Sequence, residues 1–194
     1  MKVRGILLAG GASSRFGSQK LLHALPDGTT IGARSAATLR AGIGNALAVV
    51  RPGDVALMRI FAEAGCGVLE TPRAVEGMGG SLAAAVSACA DAEGWIVALA
   101  DMPYIQPASI LAVRRALEAG ASIAVPCVEG QRGHPVGFSA AWRESLSELT
   151  GDEGARRILA ANGDAVTQVP VEDAGIFRDV DVPGDLAEGT SSTD

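Results

Sequence analysis

A chain of 194 residues with a net charge of −6 and a pI near 4.9 has no basic face to offer, which sets aside nucleic acid and anionic membrane as partners. Its length suits one domain with a full core, read as residues 1–188, followed by a polar tail over 189–194 that is expected to be disordered. Cys66, Cys89 and Cys127 show no Cys-x-x-Cys spacing and read as small buried hydrophobes, and the amino-terminal apolar run is too short for a signal peptide, so the expected location is cytoplasmic.

Hydrophobic residues make up 48% of the chain but aromatic ones only 4%, so the core must be built from Ala, Val, Leu and Ile, which suits a parallel sheet under helices. Residues 3–8 read as a buried strand that runs into a glycine-rich stretch ending at Lys20. A turn follows at Pro26-Asp27-Gly28-Thr29, then a helix over 31–41, a strand over 46–50, a helix over 54–64 and a short strand at 68–69. The segment 71–82 is too long for a mere connection, and it leads into an alanine-rich helix reaching Ala90. A central strand over 95–99 precedes Asp101; a helix over 107–118 carries Pro in its first turn and is closed by Gly120; another strand follows at 122–125. Beyond it come a turn at Glu129-Gly130, an extended piece at 135–139, helices over 141–149 and 154–161, and strands over 166–171 and 177–180. Strands alternating with helices argue an α/β fold: a doubly wound, mostly parallel sheet with helices on both faces. The later part is expected to add an antiparallel edge and a lid.

The glycine-rich stretch has the chemistry of a triphosphate cradle. Gly10 and Gly11 have no side chain to keep an anion from the backbone N–H groups, and Arg15 and Lys20 supply countercharge. Neither a Walker loop, which needs Gly-Lys-Ser/Thr, nor the dinucleotide spacing Gly-x-Gly-x-x-Gly is present. In open α/β sheets ligands bind outside the carboxyl ends of the strands, so the cradle and Asp101 are expected to meet over one cleft. Asp101 suits Mg²⁺, a hard cation that takes one or two carboxylates and completes its sphere with phosphates and water. The alternative is an N-cap or turn aspartate before Pro103.

Leu8-Ala9-Gly10-Gly11-x-Ser13-x-Arg15-Phe16-Gly17-x-x-Lys20 resembles the signature of the MobA-like nucleotidyltransferases, which attach a nucleotide to molybdopterin; within that group the chain most resembles the molybdenum cofactor cytidylyltransferases. The resemblance implies a Rossmann-like nucleotidyltransferase fold and transfer of CMP from CTP to the phosphate of molybdopterin, with release of pyrophosphate. It implies nucleotide contacts from Leu8, Ala9, Gly10, Gly11, Arg15, Lys20, Thr71, Gly77, Ser81 and Asp101, with Arg15, Lys20 and Asp101 catalytic. Mg²⁺ would be held by Asp101 and by Asp181, in a run that resembles the family's Asp-Ile-Asp-Thr-Pro-Glu-Asp. Gly133-His134-Pro135 and the run from Gly151 to Arg156 match further family segments, which assigns His134 and Arg156 to the acceptor side. The chain departs from the pattern at Thr71, where asparagine is common, at Val182, where threonine is usual, and at Gly184, where an acid is usual. Bland alternatives stand beside these roles: Ser81, Asp179 and Asp185 as helix caps and Arg156 on a solvated helix face. Other functions of the same fold are transfer of GMP from GTP, transfer to a sugar or polyol phosphate, and a non-catalytic nucleotide-binding accessory role beside a molybdenum hydroxylase or its maturation factor. No Ser-His-Asp set is evident and none is needed, because a phosphate oxygen is already an anion able to attack the α-phosphorus.

Overall fold

The structure, a computed structural model, describes residues 1–10, 20–152, 154–181 and 185. Strands β1 (Val3–Leu8), β2 (Ala46–Val50) and β4 (Gly94–Leu99) are almost continuously apolar, because successive side chains point to opposite faces and both faces are covered. On one face Leu7, Ala48, Ile96 and Ala98 pack against α1 (Ile31–Ile43), α2 (Val55–Glu63) and α4 (Pro107–Glu118). On the other Ile6, Leu8, Val49 and Val97 pack against α3 (Met78–Ala88), α5 (Arg143–Ser147) and α6 (Arg156–Ala161).

Local chemistry sets the helix ends. Thr30 accepts from Ala33 N at the start of α1, and Gly44, with φ 84°, ends it. Asp54 caps α2 by accepting from Leu57 N. The cap of α4 comes from elsewhere in the chain. Gln106, its N-cap residue, makes no side-chain cap bond, and the carboxylate of Asp173, only 4% exposed, takes that place. Asp173 Oδ2 accepts from Gln106 N at 2.8 Å and from Ser109 Oγ at 2.6 Å, while Oδ1 accepts from Gly175 N at 2.9 Å.

The eight-stranded sheet has the order β3 (Gly67–Glu70), β2, β1, β4, β7 (Val136–Ser139), β5 (Ile123–Val128), β6 (Gln131–Arg132), with β8 (Val166–Pro170) also paired to β5. The pairings β1–β2, β2–β3, β1–β4 and β5–β8 are parallel, as the α/β class requires. The chain winds outward from β1 to β3 and then returns to place β4 on the other side of β1, so the direction of winding reverses between β1 and β4.

The antiparallel part is one return strand, broken in the middle. After the turn at Glu129 and Gly130, Arg132 pairs with Cys127 and Gly137 pairs with Ala124, so β5 advances three residues while the returning chain advances five. The surplus is taken up at Gly133-His134-Pro135, where the His134–Pro135 peptide is cis. Among the described residues the first piece, β6, pairs with β5 alone, whereas β7 is inserted between β4 and β5.

Three expectations change. The segment 71–82 is less of a loop than its length suggests, since Pro72–Val75 is a 3-10 turn and α3 already begins at Met78. The helix expected over 141–149 divides into a 3-10 turn, Ala140–Trp142, and α5. The strand expected over 177–180 does not form: Ala174–Phe177 is a 3-10 turn, and the chain beyond it is held by Val180 N donating to Asp101 O at 2.9 Å. With β1 and β7 on its two sides, β4 has no edge left for another strand. The tail over 189–194 lies outside the described residues.

Replacing Asp173 by Ala removes three accepted hydrogen bonds and leaves buried donors at the start of α4. Asp173→Ala is expected to lower unfolding free energy by about 3 kcal/mol, and the melting temperature by about 6–12 °C; a melt within about 2 °C of wild type would refute the capping role.

Candidate active site

Two ends of the parallel sheet meet where the winding reverses. Leu8 is paired with Leu99, and Ala100 N donates to Leu8 O at 3.1 Å, so Gly10 and Asp101 leave the sheet side by side. Gly11 and Arg15 lie outside the described residues. The chain resumes at Lys20, the first residue of the 3-10 turn Lys20–Leu22, whose Leu21 is anchored in the core.

Lys20 turns its ammonium onto two acids. Nζ donates to Asp101 Oδ2 at 2.8 Å and to Asp181 Oδ1 at 3.2 Å, with the lysine side chain 13% exposed. Burial alone would lower the Lys20 pKa, but the hydrogen bonds and charges of Asp101 and Asp181 outweigh it and hold the ammonium above the usual lysine range. Asp101 is therefore neither the cap of α4 nor a passive turn residue. Asp181 holds its carboxylate on Lys20 while Asp185 Oδ2 accepts from its backbone N at 2.7 Å.

A third acid stands beside these two. Asp179, read from sequence as a cap, has its carboxyl held above the usual range by burial, reinforced by the charges of Asp181 and Asp101 and opposed by its own amide and Lys20. Arg178, next to it, stacks over Tyr104 with its guanidinium 4.2 Å from the ring centre and so fixes the segment. Among the described residues no set of three or more His, Cys, Asp or Glu side chains is disposed as a metal cage. Asp101 and Asp181, already converging on one cation, have the donor chemistry for a hard divalent ion whose other ligands come from phosphate and water.

The floor of the cradle is closely packed. Ala9 N donates to Val49 O, and a side chain on Gly10 would lie 3.0 Å from Ser81 Oγ and 3.1 Å from Ala74 O. Arg51, one residue past β2, donates from Nε to Gly10 O at 2.6 Å. Sequence reading passed over it; the signal was there, a cation just beyond the carboxyl end of a parallel strand.

Thr71 and Ser81 are occupied locally. Thr71 Oγ1 accepts from Arg73 N at 3.3 Å, and Ser81 Oγ donates to Gly77 O at 3.0 Å. Ser81 caps nothing, because Gly77 is the N-cap residue of α3 and Ser81 sits inside its first turn. Gly77 adopts φ 126° and ψ −169°, open only to glycine, and a Cβ there would lie 2.6 Å from Gly151 O. Its close approach is thus to the loop at Thr150–Asp152, which also accepts from Gly79 N through Gly151 O at 2.7 Å.

Beside the acids opens a cavity of about 840 Å³. Leu8, Leu99, Val136 and Phe138 line its sheet side, and Arg156 and His134 lie on its wall. His134 is placed by the break in the return strand: its N donates to Ile176 O at 3.0 Å, and Gly133 lets Ile176 approach. Its Nδ1 is buried with no hydrogen-bond partner among the described residues. Burial sets the His134 pKa below the usual histidine value, opposed by the charges of Asp101 and Asp179, so the ring is neutral at pH 7.

That depression has a sign. Above the ordinary value of 6.5 the ring is neutral in both states; below it the unfolded chain takes the proton first, so stability falls as the pH drops through the window beneath 6.5. The melting temperature of wild type is expected to decline more steeply between about pH 6.5 and pH 5 than that of His134→Gln; parallel slopes would mean the ring titrates as if exposed.

Residues 5–166 match the family described as MobA-like NTP transferase domain. The purine catabolism protein PucB of Bacillus subtilis (strain 168) is 31% identical over 191 residues, spanning 92% of this chain and 91% of that protein. Among solved structures, Rv0371c from Mycobacterium tuberculosis H37Rv superposes with a TM-score of 0.82 at 26% identity over 96% of each chain. A structure of Rv0371C in complex with manganese, 24% identical, superposes with a TM-score of 0.82 over 100% of each chain. With that fold, and a family match covering most of its length, the chain belongs to the MobA-like NTP transferases.

Proposed function

We propose that the protein transfers CMP from CTP to the phosphate of a molybdopterin-type acceptor and releases pyrophosphate. The observation that carries the reading is the meeting of Lys20 with Asp101 and Asp181 beside Gly10, at the carboxyl ends of β1 and β4. In this reading the cradle from Leu8 to Lys20 holds the triphosphate, with Arg15 and Lys20 neutralising charge on the α-phosphate and the departing pyrophosphate. Asp101 and Asp181 hold a divalent ion, Mg²⁺ in the cell, which supplies charge neutralisation at the phosphates when bound; a relative crystallised with manganese supports such an ion. Arg51, which donates to the carbonyl of Gly10, would keep that oxygen occupied and so spare the phosphates its partial negative charge. The acceptor's phosphate oxygen attacks the α-phosphorus and needs no general base.

The cavity beside the acids takes the acceptor. Its lining of Leu8, Leu99, Val136 and Phe138 suits a flat ring system better than a polyol, and Arg156 on its wall suits an anionic group. The run from Gly151 to Arg156 favours CTP over GTP through its resemblance to the cytidylyl branch. A second reading comes from the relative named for purine catabolism: a nucleotide-binding accessory factor in such a route, which keeps the cradle without turnover.

A panel of CTP, GTP, UTP and ATP with Mg²⁺ is expected to raise the melting temperature most with CTP, by about 5–10 °C at roughly 100-fold excess over Kd. Pyrophosphate release should then require both CTP and molybdopterin; tight binding with no release would favour the accessory factor. Lys20→Ala is expected to cut turnover by about 100- to 1,000-fold with the fold intact. Asp101→Asn should abolish the response of turnover to added Mg²⁺, and a wild-type titration curve would place the ion elsewhere.

A further inference from the structure

Lys20 and a divalent ion compete for the same two carboxylates. The ammonium lies 2.8 Å from Asp101 Oδ2 and 3.2 Å from Asp181 Oδ1, and it is the cation on which these acids converge among the described residues. A Mg²⁺ or Mn²⁺ ion needs carboxylate oxygens at about 2.0–2.2 Å, in the space that Nζ now fills. An ammonium and a dication sharing that part-buried space would repel strongly, because charges close together away from bulk water are poorly screened. The backbone of Lys20 is fixed by the 3-10 turn and by Leu21, 7% exposed in the core, so exchange requires only rotation of the lysine side chain.

We propose that Lys20 closes the metal position in the nucleotide-free protein and that the triphosphate opens it. Phosphate oxygens offer the ammonium a stronger partner; Lys20 swings to them, Asp101 and Asp181 are released, and the divalent ion enters with the nucleotide and not before it. The inference rests on the nucleotide-binding reading above and adds the order of binding. It has a thermodynamic corollary: nucleotide and metal raise each other's affinity by the same factor, and Lys20 contributes to that factor.

The test measures Mn²⁺ binding by the electron paramagnetic resonance of the free ion, without acceptor, with and without CTP. Wild type, Lys20→Met, Lys20→Gln and Arg51→Met are compared, and a far-ultraviolet spectrum checks that each is folded. Lys20→Met and Lys20→Gln are expected to bind Mn²⁺ about tenfold more tightly than wild type in the absence of nucleotide, and the tightening produced by CTP should shrink by a similar factor. Arg51→Met, which removes a nearby charge without vacating the carboxylates, should match wild type within about twofold in the measurement without nucleotide, the one in which it serves as the control. The inference is overturned if both lysine variants bind Mn²⁺ no better than wild type, if Arg51→Met gains as much as they do without nucleotide, or if CTP tightens Mn²⁺ equally in wild type and both lysine variants. Transfer activity is scored apart from this: absence of pyrophosphate release in wild type, with the Mn²⁺ differences intact, would reject the transferase reading alone.

Discussion

The arrangement of the site depends on the parallel pairing of β1 with β4, in register from Val3 opposite Gly94 to Leu8 opposite Leu99. That register delivers Gly10 and Asp101 to the same level at the carboxyl end of the sheet. A slip of one residue would turn the side chains of β1 onto the wrong faces, exchanging Leu7 for Leu8 in two packed layers, so the register is held by the whole core. On the other side of β1, Leu8 faces Val49, which brings Arg51 beside Gly10. A cation, a glycine and a carboxylate thus stand in a row across three strands.

The opposite wall comes from the last part of the chain, and it is built by a defect. The return strand takes five steps where β5 takes three, and the surplus pushes His134 out of the ladder towards the acids. Bulges are used in this way to re-aim a side chain. Ile176 locks the displaced segment by accepting from His134 N, and Asp173 locks the turn that carries Ile176 onto the start of α4. From that anchor the chain runs past Arg178, stacked on Tyr104, and reaches Asp101 through the bond from Val180 N. Asp179 and Asp181 flank that bond.

This is how an acidic protein can handle an anionic substrate. With a net charge of −6 it has no general attraction for phosphates, so in the proposed function the work falls to backbone N–H groups, a small set of cations and a divalent ion that Asp101 and Asp181 would hold. Chemistry that consists of alignment and charge neutralisation asks for little else. The ammonium of Lys20 draws Asp101 and Asp181 together at the carboxyl ends of β1 and β4.

From sequence alone the elements with strong local signals were legible. Pro107 and Gly120 bracket α4, and the apolar runs at 3–8, 46–50 and 95–99 are strands because burial on two faces leaves no room for polar residues. The glycine-rich motif and Asp101 were placed at strand ends by the same reasoning, and the family was named from the motif. Tertiary structure decided the rest. Whether Asp101 caps a helix or meets a lysine depends on a contact across 81 residues, and the meeting of Lys20 with Asp181 on one across 161. Asp173 passes for a loop acid until α4 is seen to lack a cap of its own, and the insertion of β7 beside β4 leaves no local trace. Periodicity and turn residues act over a few positions of the chain, whereas the partner of a charge or the neighbour of a strand is chosen by the packing of the whole core.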